Sequence, residues 1–202
     1  MKKEIAVLSG IAVVALVAGS LATGICAEVD KKPDGLSKTY FLDGNLQKEE
    51  TFKDGLLDGE SKTYYPGGGL QEEMTFKDGL PEGESRSYYP DGKLQTEMTF
   101  KKGNPDGLFK SYYPDGQLET EMVFKNGNPN GLSKSYYSDG KLREEVTLKN
   151  DRPDGLFKSY YPNGQLQEEG LFKDGKPAGP SRTYFEDGKL KEETTYNDNK
   201  PE

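Results

Sequence analysis

The sequence predicts an all-β chain: an elongated single-layer antiparallel meander of seven stacked hairpin repeats. Three observations predict it. Residues recur at a step of 24 from Gly35 onward, as in Gly35, Gly59, Gly83, Gly107, Gly131, Gly155 and Gly179. Each copy holds two short strand-like runs between turn residues, such as "FKSYY" (Phe109 to Tyr113) and "LQTEMTF" (Leu94 to Phe100). Gly and Pro recur too closely for helices, while Tyr and Thr favour strands.

The first 27 residues stand apart. Ile5 to Ala27 carries no charge and follows Lys2 and Lys3. It reads as a cleaved export signal or as an uncleaved membrane anchor. Ser20-Leu21-Ala22 and Ala18-Gly19-Ser20 offer the small residues a signal peptidase prefers. A lipoprotein reading would use Cys26, the single cysteine, although Ile25 before it is bulky for that signal. All three readings place the repeats outside the cytoplasm: periplasmic, on the cell surface or secreted. Any membrane attachment is then through this segment alone. Residues 28–34 form a short polar linker, and residues 35–202 form the repeats.

Within a copy the two turns differ. Pro90 has no amide to give a ladder, so a two-residue mirror-image turn over Asp91-Gly92 is disfavoured. A type I turn with Pro90 first and Gly92 left-handed suits the sequence. Leu42 and Ser138 replace the proline in copies 1 and 5, where the argument is weaker. Asp78-Gly79 is the pair favoured in tight hairpins. With short connections throughout, about fourteen strands pair with their sequence neighbours, roughly 65 Å of sheet.

The Pro-based turn sets a register in which Tyr89 faces Lys93 and Tyr88 faces Leu94. One face then carries Tyr88, Leu94, Met98 and Phe100. The other carries Ser85, Ser87, Tyr89, Gln95, Glu97 and Thr99. With three or four large apolar side chains, one copy cannot stand alone, and the apolar face needs cover from curling or from another molecule. Copy 7 departs from the pattern at Pro180, Tyr196 and Asn199, and copy 5 has Asp151 in place of Gly. These departures suit end capping as well as neutral drift.

Charge narrows the partners. The chain has net charge −8; residues 28–202 hold 25 basic and 34 acidic side chains, net −9. So acidic a surface repels nucleic-acid phosphates and anionic headgroups, and excludes a nucleic-acid partner. There is no histidine, so the common nucleophilic triads and Cys/His zinc sites are absent. The aspartates at turns, such as Asp91 and Asp115, follow no Ca²⁺-loop spacing. The reading is of a protein that is not an enzyme and has no cofactor.

Two columns remain as candidate binding surface. The first is glutamate: Glu73, Glu97, Glu121 and Glu145, part of a run from Glu49 to Glu193. It forms either an acidic ladder for a basic partner or ion pairs with Lys38, Lys62, Arg86, Lys110, Lys134, Lys158 and Arg182. The expected register puts those cations on the opposite face, and a shift of one residue would make them direct partners. The second column is aromatic: Tyr65, Tyr89, Tyr113, Tyr137 and Tyr161, with Phe41 and Phe185 at its ends. It either stacks on sugar rings or anchors a protein, or packs across strands.

The run "GLFKSYYPDGQLETEMVFKNGNPNG" resembles the MORN-repeat variant, the second MORN class, seen in bacterial proteins often labelled YwqK-type antitoxins. The shared signature is G-x-x-x-x-Y-Y-x-x-G-x-L-x-x-E-x-x-F-x-x-G, and it covers residues 35–202. The resemblance implies stacked hairpins and roles in protein interaction, scaffolding or membrane apposition. It implies no catalytic residues. Three functional expectations follow: an exported scaffold binding a protein partner, a cell-envelope glycan-binding module, or an antitoxin neutralising a toxin protein.

Overall fold

The computed structural model describes residues 32–197 and 200–201, which from Gly35 on are strands and the turns between them. The expected signal or anchor lies outside them. The strands are β1 (Gly35–Tyr40), β2 (Leu46–Lys53), β3 (Leu56–Tyr64), β4 (Leu70–Lys77), β5 (Leu80–Tyr88) and β6 (Leu94–Lys101). They continue as β7 (Asn104–Pro105), β8 (Gly107–Tyr112), β9 (Leu118–Lys125), β10 (Asn128–Pro129), β11 (Gly131–Tyr136) and β12 (Leu142–Lys149). The last are β13 (Arg152–Tyr160), β14 (Leu166–Lys173), β15 (Lys176–Tyr184), β16 (Leu190–Asn197) and β17 (Lys200–Pro201).

Every pairing is antiparallel, and the strands form one open sheet in chain order. β7 and β8 share one row against β6, and β10 and β11 share one row against β9. The interruptions are small. The Asp106 amide donates to the Thr99 carbonyl at 2.9 Å and that of Asn130 to Val123 at 2.8 Å. The fourteen expected rows are therefore present, with the two-residue β17 added at one end.

Both turns take the expected forms. The Gly92 amide donates to the Tyr89 carbonyl and the Tyr89 amide to the Lys93 carbonyl, each at 2.8 Å. Gly92 has φ +85°, and the Lys93 amide donates to Asp91 Oδ1 at 3.1 Å. Copies 1 and 5 make the same turn without proline, through Gly44 and Gly140. At Asp78-Gly79 both residues have positive φ, +49° and +80°, as a mirror-image two-residue turn requires. Asp151 takes φ +66° in the position that glycine holds elsewhere.

The face assignment differs from expectation by one residue. Tyr88 stands opposite Leu94, as the turn dictates, but Ser87 stands opposite Thr96. Gln95 has no partner, so it forms a bulge. The same register shift recurs in every copy, at Gln47, Gln71, Glu119, Arg143, Gln167 and Lys191. Beyond the bulge, Arg86 pairs Glu97, Ser85 pairs Met98 and Gly83 pairs Phe100. Met98 and Phe100 therefore oppose Glu97, as expected. Tyr88 and Leu94 lie on the Glu97 face, not with Met98 and Phe100. Ser85 and Ser87 lie with Met98 and Phe100, not with Glu97. The two sides are called the core face, with Phe100, and the ladder face, with Glu97.

Burial follows the core face. Phe52, Phe100, Phe109, Met122, Val146, Leu148, Phe157 and Phe172 are the buried apolar residues, Phe100 only 5% exposed. Small serines sit between them: Ser61, Ser85, Ser111, Ser133, Ser135 and Ser159 are buried as well. Volume is traded across the pairs. Where Ser85 faces Met98, copy 6 places Phe157 against Gly170. Phe157 then meets Phe172 edge-on at 6.0 Å, as Phe109 meets Phe124 at 6.2 Å. Neighbouring rows thus cover one another without a second layer.

A glycine marks each join between copies. Gly107 has φ +140°, and a Cβ there would lie 3.1 Å from Thr99 Cβ. Gly116, at a turn with φ +94°, has open space around it. Gly107→Ala is expected to cost about 1–3 kcal/mol in urea unfolding, and more than Gly116→Ala. Equal costs would show that backbone strain alone, and not the approach to Thr99, holds the glycine.

Candidate binding surface

On the ladder face each glutamate of the column from Glu49 to Glu169 is the Cα partner of a cation on both sides. Glu97 stands opposite Arg86 on β5 and opposite Lys110 on β8. Tyr112 Oη donates to Glu97 Oε1 at 2.7 Å, and Lys110 Nζ lies 3.3 Å away. The unit recurs. Glu49 accepts from Tyr64 at 2.8 Å with Lys38 at 2.6 Å, and Glu73 from Tyr88 at 2.6 Å with Arg86 at 3.8 Å. Glu121 accepts from Tyr136 at 2.8 Å with Lys134 at 3.9 Å, and Glu145 from Tyr160 at 3.2 Å.

This settles how the glutamate column is spent. The cations were expected on the opposite face, and the bulge at Gln95 moves them onto the glutamates. The candidates Glu73, Glu97, Glu121 and Glu145 are hydrogen-bonded by a tyrosine and flanked by cations. They are not a free acidic ladder. Burial, then the bond to Glu97, pushes the Tyr112 hydroxyl up to about 12. Burial and Glu121 do the same for Tyr136, also to about 12. The bond from Tyr112, reinforced by Lys110, holds the Glu97 carboxyl below its ordinary range.

The aromatic column takes the other side. Tyr89 directly follows the end of β5, where its amide still pairs with the Lys93 carbonyl, so alternation carries it to the core face. Its hydroxyl donates to the Tyr112 carbonyl of the next copy at 2.6 Å. Tyr65, Tyr113, Tyr137 and Tyr161 donate likewise to the carbonyls of Tyr88, Tyr136, Tyr160 and Tyr184, at 2.7–2.9 Å. The bulge residues share that face: Ser111 Oγ donates to Glu119 Oε2 at 3.1 Å, and Arg143 Nε to Ser135 Oγ at 3.3 Å. The two candidate columns were expected side by side. They lie on opposite faces and form no common surface. The tyrosine rings are half-buried and their hydroxyls tie each copy to the next.

Sequence reasoning passed over one row. On the ladder face Leu108 pairs Val123, Leu132 pairs Thr147 and Leu156 pairs Leu171. The three paired leucines are 45–46% exposed, and Val123 and Leu171 are exposed too. Copies 2 and 3 carry Glu60 and Glu84 at this position, ion-paired to Lys62 and Arg86. The sequence signal was there: the residue after the repeat glycine changes from Glu60 and Glu84 to Leu108, Leu132 and Leu156. Among the described residues, no group of three acidic, Cys or His side chains is placed to hold a metal ion.

A sheet of near-identical hairpins, with its polar residues bonded copy to copy, defines a repeat protein whose surface is its exposed sheet. The chain belongs to the MORN repeat variant family. The family model matches residues 33–54, 57–78, 81–102, 105–126, 129–150, 153–174 and 178–198. Each match encloses one hairpin, such as β5–β6. A search of curated proteins finds no match to the chain.

The ladder predicts an alkaline titration. Tyr112 and Tyr136 should ionise near 12 in a tyrosinate absorbance titration. Their folded values exceed the unfolded one, so their contribution to stability is intact below about pH 10 and is lost as pH rises toward 12. Glu97→Gln should lower the Tyr112 value without returning it to 10, because burial is the larger cause. A full return would mean that the carboxylate alone sets it.

Proposed function

We propose that the chain is an exported, non-catalytic scaffold that binds a protein partner through the ladder face of copies 4–6. The row Leu108, Leu132 and Leu156 carries this reading. It keeps apolar side chains in water on a face whose charges are already matched. A partner laid over it gains apolar burial without stripping water from lone carboxylates. At two strands per copy the leucines recur at roughly 10 Å, so weak contacts add through high effective concentration.

The glycan reading needs the rings of Tyr65, Tyr89, Tyr113, Tyr137 and Tyr161, whose hydroxyls are committed to backbone carbonyls. Binding by envelope extract and by polysaccharide sedimentation separates the two. The triple variant Leu108→Glu, Leu132→Glu, Leu156→Glu should keep its strand spectrum, because the leucines are exposed. It should lose protein capture by at least about tenfold. If capture survives it, and changing the five tyrosines to Ala removes polysaccharide binding, the glycan reading replaces this one.

The uncharged run from Ile5 to Ala27, which reads as an export signal or anchor, supports the envelope setting. The full chain should be reached by protease in intact cells, and a chain beginning at Glu28 only after permeabilisation. A full chain protected in intact cells would favour the antitoxin reading instead.

A further inference from the structure

We propose that the two edges of the sheet are complementary and join copies of this chain end to end. The proposal is independent of which face binds a partner. Inside the sheet, every join sets the second strand of one copy against the first strand of the next. At the β6–β8 join, Glu97 faces Lys110 and Thr96 faces Ser111, and the Tyr112 hydroxyl reaches Glu97.

Each half of that join is also present at an edge. Among the described residues β1 pairs β2 alone. It carries Lys38, Thr39 and Tyr40 where β8 carries Lys110, Ser111 and Tyr112. At the other edge β17 holds Tyr196 and Asn197 of β16, as β7 holds Phe100 and Lys101 of β6. The strand that β8 supplies beyond β7 has no counterpart beyond β17 among the described residues.

The side chains at the two edges match in the same way. Tyr64, Tyr88, Tyr112, Tyr136, Tyr160 and Tyr184 are half-buried, and each donates to the glutamate of the preceding copy. Tyr40 is 57% exposed, and its hydroxyl has no such acceptor among the described residues. Glu193 is exposed, paired to Arg182 at 2.8 Å, and receives no tyrosine hydroxyl there. Laying β1 of a second copy along β16 puts Lys38 opposite Glu193. Tyr40 then reaches Glu193 as Tyr112 reaches Glu97.

The joint is weaker than an internal one for two reasons. Phe185 replaces the tyrosine that would donate to the second copy's Tyr40 carbonyl. Lys32 and Pro33 of the second copy also compete with Lys200–Pro201 for the same place on β16. An unlike pair of edges does not close on itself, so the product is an open chain of copies.

Sedimentation velocity of the full chain in detergent, over about a hundredfold range of concentration, tests this. A ladder of species growing with concentration is expected. Glu193→Lys and Lys38→Glu should each reduce the sample to its smallest species, and mixing the two variants should restore the ladder. Tyr40→Phe, a milder change, should weaken association several-fold. All variants keep the N-terminal segment, so association through it stays constant among them. The absence of concentration dependence, growth indifferent to these changes, or failure of the mixture to recover would each overturn the proposal.

Discussion

The unpaired residue between Leu94 and Thr96 governs the arrangement of every copy. A strand alternates its side chains, so one extra residue exchanges the faces of everything beyond it. Because Gln95 bulges, Glu97 meets Arg86 and Lys110 instead of facing a row of serines. The same displacement sets Ser85 against Met98, which leaves the room that a crowded core needs. The bulge also recurs with the repeat, so seven copies stay in phase. Were it absent from one copy, that copy would offer its charges to the aromatic side.

Side-chain bonds cross every copy boundary of the thin sheet. Tyr112 bonds Glu97 of the copy before it, and Tyr89 bonds the Tyr112 backbone of the copy after it. Two tyrosines, one from each copy, thus brace one joint from both faces. Phenol rings bury apolar area along the sheet while their hydroxyls find acceptors at its far side. This explains a composition poor in aliphatic residues yet holding 13 tyrosines. Stability in such an array is a sum over neighbours, and the two edges are where neighbours run out. Phe185 stands at one edge, and Phe41 leaves the joint between copies 1 and 2 without the tie that Tyr65 makes at the next.

Much of this was legible in the sequence, because turn chemistry is local. Pro90-Asp91-Gly92 and Asp78-Gly79 each specify a turn through their own backbone preferences, and both appear as read. Strand order followed from short connections. The faces did not, because no residue at the bulge position signals it: Gln47, Gln71, Gln95, Glu119, Arg143, Gln167 and Lys191 share only polarity. What the bulge needs is a side chain that tolerates leaving the ladder, and many do. The clue lay in the columns taken together. Lys110 and Glu97 recur with equal strictness, and one register alone makes them partners. The apolar row was missed for another reason: Leu108, Leu132 and Leu156 replace the charged Glu60 and Glu84 of other copies, and only the register shows them facing water.

The same division of faces makes acid act in two senses. On the ladder face Glu49 and Glu97 are held below their ordinary range, Glu49 chiefly by Lys38 and Glu97 chiefly by Tyr112. Their contribution is present above the ordinary carboxylate range and is lost as pH falls through the folded values. On the core face the carboxyls of Glu72 and Glu168 are raised by burial, and nearby Glu144 raises Glu168 further. For these the fold favours the protonated form. The cost of burying their charge at neutral pH is relieved as they take up protons on acidification. Mild acid therefore first relieves the core face at Glu72 and Glu168, and stronger acid then weakens the ladder at Glu49 and Glu97. The copy-to-copy bonds on the ladder face accept at carboxylates, whereas those of Tyr65, Tyr89, Tyr113, Tyr137 and Tyr161 accept at backbone carbonyls, which do not titrate. The core-face ties outlast the ladder for that reason, so acid loosens the sheet from one side.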